Sequence, residues 1–165
     1  MNLDLTKVIN GLQDQLEFNF DLILSESYLE SIKSVDASVI NVLGKIKKID
    51  KRYDLTLTYS GDMIFECHRC LERVTISLKN TVERLLVTKL DTEGSDEETL
   101  LESSVLDLAP ILEEEITLNL PLQVICSESC KGLCPMCGAD LNKETCTCSD
   151  ERIDPRLEAL KNLFI

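Results

Sequence analysis

Apolar and polar residues alternate through most of the first half of the chain. Leu16, Phe18 and Phe20 are interleaved with Glu17, Asn19 and Asp21, the period of a half-buried strand. Ser25 to Ile32 reads as a short helix or a turn. From Ser38 the pattern sharpens. Ile40, Val42, Gly44 and Ile46 share one face, and Asn41, Lys45 and Lys47 the other. The stretch from Lys48 to Arg52 supplies a turn, after which Tyr53, Leu55, Leu57 and Tyr59 alternate with Asp54, Thr56 and Thr58. These two segments predict an antiparallel hairpin. Ser60-Gly61-Asp62 reads as a bulge or turn. Met63-Ile64-Phe65 resumes the strand and runs into Cys67-His68-Arg69-Cys70. Val74, Ile76 and Leu78 then alternate with Thr75, Ser77 and Lys79, which sets the Cys-x-x-Cys at the tip of a second hairpin.

The second half is less regular. Residues 91–104 carry six carboxylates and few apolar side chains, and are expected to form a flexible acidic loop. Leu108, Ile111, Leu112 and Ile116 fit a short helix that Asp107 can cap. Ile116, Leu118, Leu120 and Leu122 then alternate with Thr117, Asn119 and Pro121, suggesting an edge strand. At the end, Asp154 as N-cap, Pro155, and the stripe Ile153, Leu157, Leu160 and Phe164 predict a short helix. The expected fold is α+β, mostly antiparallel sheet, with a cysteine-rich zinc-knuckle tail and a short C-terminal helix. A β-rich domain would cover residues 1–125, and a zinc-binding tail over 126–165 would pack on it.

Composition narrows the function. With 44% hydrophobic residues among 165, a real core is available, yet no apolar run approaches the roughly 18 residues of a membrane span. The start, Met1-Asn2-Leu3-Asp4-Leu5, lacks a basic region followed by an apolar one, so a cytoplasmic protein without a secretory signal is expected. His68 is the only histidine, which argues against a Ser-His-Asp triad or a histidine-rich catalytic metal site. Charge is split along the chain. Residues 45–90 hold 10 Lys/Arg against 6 Asp/Glu, a net of +4; residues 91–165 hold 5 against 17, a net of −12. So acidic a chain gains nothing from its overall field on approaching RNA. Contact with RNA would need a local patch, for which Lys45, Lys47, Lys48, Lys51 and Arg52 are the candidates, or a basic protein partner. The competing reading of this cluster is a solvated hairpin tip.

Eight cysteines in a reducing compartment point to metal before disulfides. Cys134-Pro135-Met136-Cys137-Gly138 is a strong knuckle: Pro135 pre-sets the turn, and Gly138 accepts a left-handed conformation. Cys146 and Cys148 can return to the same ion. Cys67 and Cys70 would meet Cys126 and Cys130 if their strand ends are neighbours in one sheet, giving two Cys₄ zinc sites. Alternatively, one site lies within the tail, and Cys67 and Cys70 are free or form a redox dithiol, with His68 and Arg69 lowering a thiol pKa. A closed Cys₄ site is structural far more often than catalytic, because catalysis needs an open coordination position.

Several motifs occur in order: Phe65-Glu66-Cys67-His68-Arg69-Cys70-Leu71-Glu72, Leu118-Asn119-Leu120-Pro121-Leu122, Cys126, the run Cys130 to Gly138, Asp140-Leu141-Asn142, Cys146-Thr147-Cys148, and Ile153-Asp154-Pro155-Arg156-Leu157. Together they resemble the YceD family, the large-ribosomal-RNA-subunit accumulation proteins of bacteria and plastids. The resemblance implies a non-catalytic ribosome assembly factor, needed for synthesis, processing or stability of large-subunit (23S) ribosomal RNA. It would act on that RNA or a pre-ribosomal particle, with no membrane and no small-molecule substrate. An enzyme, either a thiol-disulfide oxidoreductase or a zinc-dependent nuclease, is the alternative class. No carboxylate pair suited to metal-assisted hydrolysis stands out beyond the acidic stretch.

Overall fold

The computed structural model describes residues 2–50, 52–88 and 98–148. In chain order the elements are β1 (Asn2–Asp4), α1 (Thr6–Ile9), β2 (Gln15–Leu22), α2 (Glu26–Ser31), β3 (Ser34–Ala37), β4 (Ile40–Ile49), β5 (Arg52–Glu66), β6 (Arg73–Val87), β7 (Glu98–Leu100), β8 (Val105–Asp107) and α3 (Ala109–Asn119). The strands β2-β4-β5-β6-β7 lie side by side in one six-stranded sheet, and β3 pairs with β5 off that path. A two-stranded ribbon joins β1 to β8. All pairings are antiparallel except β6 with β7.

Period-two alternation gives the sheet one apolar face. Ile40, Val42 and Ile46 of β4, Tyr53, Leu55, Leu57, Tyr59, Met63 and Phe65 of β5, and Leu78, Val82 and Leu86 of β6 are buried. The three helices and their flanking segments cover this face through Leu5, Val8, Leu24, Leu108, Ile111, Leu112 and Ile116, which belong to the same cluster. Polar ties fix how they sit. Tyr28 of α2 donates its hydroxyl to the Glu113 carbonyl at 2.9 Å, and Arg84 of β6 pairs with Glu114 at 3.3 Å and with Glu115.

Three expectations are corrected. Ser60-Gly61-Asp62 is neither bulge nor turn, because β5 runs unbroken from Arg52 to Glu66 in continuous register with β6. Gly61 is needed for space: a Cβ there would lie 2.4 Å from Ile40 Cδ1. It sits where β5 exchanges its partner β4 (Asn41 opposite Ser60) for β3 (Ala37 opposite Met63). The strand expected over Ile116–Leu122 is the last turn of α3 followed by irregular chain. Leu118 and Leu122 are exposed, so the apparent alternation does not mark a buried face. Leu120 leaves the helix with ψ of 143°, the extended conformation a residue before proline favours.

The acidic loop is the third. Residues 98–100 form β7, Leu101 is buried, and its amide donates to the Val87 carbonyl at 2.8 Å. Residues 98–101 of that stretch are therefore built into the sheet, and residues 91–97 lie outside the described residues. The expected C-terminal helix with Ile153, Asp154, Pro155, Leu157, Leu160 and Phe164 also lies outside them.

Candidate metal centres

β5 and β6 form a long hairpin whose closed end is Cys67 to Glu72. The amide of Cys67 donates to the Glu72 carbonyl at 2.8 Å, and that of Leu71 to the Cys67 carbonyl at 2.9 Å. Leu71 holds φ at 63°, a left-handed conformation that is costly for a branched side chain. The tail builds the same turn. The amide of Gly138 donates to the Cys134 carbonyl at 2.9 Å, with φ of 75° at Gly138. The two Cys-x-x-Cys turns are thus the same device, one closed by glycine and one by a strained leucine.

The chain from Val124 to Cys134 wraps the hairpin tip. Val124 and Cys130 offer their carbonyls to the His68 amide at 2.9 Å and to Arg69 Nη1 at 3.0 Å, and the Leu133 amide donates to the Arg69 carbonyl at 2.9 Å. Gly132 crosses so near this strand end that a Cβ would stand 3.0 Å from the Arg69 carbonyl oxygen. Cys126 and Cys130 are brought against Cys67 and Cys70 as a result. Cys67 Sγ lies 3.9 Å from Cys130 Sγ, and Cys70 Sγ lies 3.6 Å from Cys126 Sγ. In the tail, Cys134, Cys137, Cys146 and Cys148 converge likewise, and within each group of four all sulfurs lie within 4.8 Å of one another.

The spacing suits a metal ion. Four thiolates about 2.3 Å from one ion in a tetrahedron stand roughly 3.8 Å apart. Proton energetics agree. Burial opposes ionisation of Cys67, but amides of Arg69, Cys126 and Cys70 outweigh it and bring its pKa down to about 6. Amides of Cys137 and Met136 bring Cys134 to about 6 as well. The sulfurs of Cys130 and Cys70 push Cys126 up to about 12, and Cys137 does the same to Cys148. Each cluster gives up its first proton readily and its last hardly at all. A bound dication removes that conflict, because it neutralises the crowded thiolates.

Cys67 and Cys70 are therefore neither isolated nor paired only with each other, an arrangement that could hold a metal ion. His68 is exposed, and its described hydrogen bond runs from its backbone amide. Asn142, which the sequence marks only as part of the Asp140-Leu141-Asn142 motif, has a side chain that joins the two centres. Its Nδ2 lies 3.5 Å from Cys130 Sγ, while its backbone belongs to the second loop. Lys143 beside it ties that loop to the hairpin tip, with Nζ 2.8 Å from Glu72 Oε2. For Lys143 the sequence signal was its place between the cysteine pairs.

The described members of the basic cluster are divided between the two faces of the sheet. Lys45 projects from the outer face of the sheet, 3.5 Å from Glu17, and Lys47 lies opposite Asp54. Lys48 points to the other face, where its ammonium donates to the Ile9 carbonyl at 3.0 Å and sits 5.9 Å from the Tyr53 ring centre. Arg52 is exposed and Lys51 lies outside the described residues. Lys48 is thus separated by the sheet from Lys45 and Lys47.

An antiparallel sheet domain whose main hairpin shares one four-sulfur centre with a cysteine-rich segment that builds a second within itself defines the class. The family model for the large ribosomal RNA subunit accumulation protein YceD matches residues 55–164, and the chain belongs to that family. An uncharacterised Bacillus subtilis protein, YlbN, is 32% identical over 129 residues, covering 77% of this chain and 75% of its own. An uncharacterised protein of Mycobacterium tuberculosis is 27% identical over 140 residues, 82% of this chain and 67% of its own. The Arabidopsis thaliana chloroplastic large ribosomal RNA subunit accumulation protein YCED homolog 1 is 36% identical over 58 residues, 35% of this chain and 18% of that protein. No solved structure matches. Among the described residues no helix is long and apolar enough to cross a membrane.

Proposed function

We propose that this chain is a non-catalytic assembly factor that supports accumulation of large-subunit (23S) ribosomal RNA in the cytoplasm, with a structural zinc ion at each cysteine tetrad. Family membership supports the ribosomal role, together with the name of the Arabidopsis relative. The observation that carries the non-catalytic reading is the closure of both centres. Four cysteines converge on each, so a tetrahedral ion would keep no position for water or substrate. Four soft thiolates in that geometry favour zinc. Cys67, Cys70, Cys126 and Cys130 would hold one ion, and Cys134, Cys137, Cys146 and Cys148 the other. Neither a redox dithiol nor a metal nuclease fits such saturated ligation.

The charge distribution favours a basic ribosomal protein as the direct partner, with ribosomal RNA reached through the particle that carries it. Lys45 and Lys47 face carboxylates on neighbouring strands, while residues 91–165 carry a net charge of −12 and include the exposed Glu102 and Glu114, the latter beside Arg84. The test is co-sedimentation with pre-ribosomal particles. Substituting Glu102, Glu113 and Glu114 by Lys should weaken association at unchanged zinc content. Substituting Lys45, Lys47, Lys51 and Arg52 by Glu should change it little. If the second set abolishes association and flattens its salt dependence, by about 0.7–0.9 in log–log slope per lost phosphate contact, the direct partner is RNA. Normal large-subunit RNA levels in cells lacking the protein would refute the assembly role.

A further inference from the structure

β6 is fifteen residues long, and β5 pairs with it throughout, from Glu66 opposite Arg73 to Arg52 opposite Val87. Its other side is met by β7 only at Leu85, Leu86 and Val87. Among the described residues, Arg73 to Arg84 therefore present an unpaired edge about 40 Å long at 3.4 Å per residue. This edge carries no proline or bulge, two of the features that keep exposed strands from pairing, and its charges, Arg73, Lys79, Glu83 and Arg84, are of both signs.

We propose that a second copy of this chain occupies the edge, the two β6 strands pairing antiparallel about a two-fold axis at Leu78 so that the sheets become continuous. The backbone limits the possible registers. The Thr81 amide donates to the Asn80 side chain at 2.9 Å, and the Val87 carbonyl accepts from Leu101 at 2.8 Å. Odd-numbered residues of β6 thus turn their amides and carbonyls away from β5. Pairing β6 with itself must set odd residues opposite odd ones, which places the axis on a residue and never between two.

Two placements use nearly the whole edge, with the axis at Leu78 or at Lys79. At Lys79, the lysine would face its own copy, a destabilising like-charge pair. At Leu78, Arg73 meets Glu83 of the partner subunit, Thr75 meets Thr81 of the partner subunit, and Ser77 meets Lys79 of the partner subunit. On the inner face Val74 meets Val82 of the partner subunit, and Leu78 meets itself. The Arg73–Glu83 pair occurs twice, once at each end of the ribbon. Thr81 then exchanges its bond to Asn80 for one across the interface.

The experiment is sedimentation of the full metal-loaded chain under reducing conditions, from about 1 to 100 μM. A reversible monomer–dimer equilibrium with micromolar Kd is expected for pairing of this extent. Arg73→Glu and Glu83→Arg should each raise Kd about tenfold, since each turns two attractive pairs repulsive. Combining them should restore Kd to within about threefold. Lys79→Pro should abolish the dimer while keeping metal content and circular dichroism, because its amide points away from β5. A chain monomeric at 100 μM overturns the proposal, as does a dimer that survives Lys79→Pro. If Lys79→Pro does not fold, the charge exchange decides: without rescue in the double variant, the proposal fails. Burial of this edge only within a ribosomal particle, with the free chain monomeric, would assign it to another partner.

Discussion

The side chain of Asn142 makes three contacts. Oδ1 accepts the Lys131 amide at 2.8 Å, and Nδ2 donates to Asp140 Oδ1 at 2.9 Å and toward Cys130 Sγ at 3.5 Å. The Asn142 amide, donating to the Asp140 carboxyl at 3.0 Å, leads the interactions that hold that carboxyl below its usual range and keep it a good acceptor. The network orients a sulfur of the first centre from the loop of the second. Groups that donate to a metal ligand typically change affinity 10–100-fold when removed. Asn142→Ala should therefore lower metal affinity at the Cys67–Cys130 centre at least about tenfold, read by competition with a chromophoric chelator. Asn142→Asp keeps the acceptor, loses the donor and adds a negative charge, and should weaken that centre further. At this scale the sequence was legible where residue type dictates geometry, as at Gly138. It was silent at Leu71, which adopts the same left-handed turn against its own preference because the hairpin requires it.

Within the sheet, β2 and β4 are held in register by a contact between Phe18 and Gly44, which face each other directly. The phenyl ring lies over the glycine, and its carbons stand 2.1 Å from where a Cβ would be. Gly44→Ala must drive the ring off its site at the sheet edge. A loss of about 2 kcal/mol in urea unfolding is expected, the usual scale for overpacking. A loss below about 0.5 kcal/mol would show that the ring moves aside freely. The pattern of alternation revealed β2, β4, β5 and β6 because each has one face in the core. It found α3 through Leu108, Ile111, Leu112 and Ile116 despite the polar run Glu113-Glu114-Glu115, but failed at the last turn of that helix, which it read as the start of a strand. One of those glutamates, Glu115, is turned inward to Arg84, whose side chain is only 19% exposed. It failed again at β7, whose acidic sequence resembles a loop and whose place depends on a distant pairing with Leu85 to Val87.

For the whole molecule, the contrast between sheet and tail makes the metal centres decisive. Between Leu120 and Cys148 the described chain has no helix or extended strand, only an isolated bridge between Leu133 and Asp140. Its contribution to the main core is Leu120 and Val124; Ile125 and Leu133 pack instead around the first cysteine group. Removing metal should therefore release residues 126–148 to near-unprotected amide exchange, while Tyr53–Tyr59 and Val82–Leu86 stay protected. The pH dependence follows from the thiols. A folded pKa of about 6 at Cys67 and Cys134, below the ordinary value of 9.0, contributes stability present above pH 9 and lost as pH falls through 6. Cys126 and Cys148, raised to about 12, contribute with the opposite sign: they favour the metal-free fold below pH 9 and lose that effect only as pH rises through 12. Metal must displace these last two protons at any physiological pH, so its affinity falls as pH falls. Release of the 126–148 amides should need less chelator at pH 6 than at pH 8. Equal midpoints at the two pH values, or uniform loss of protection across β4 to β6, would mean that thiolate–metal bonds do not hold this segment.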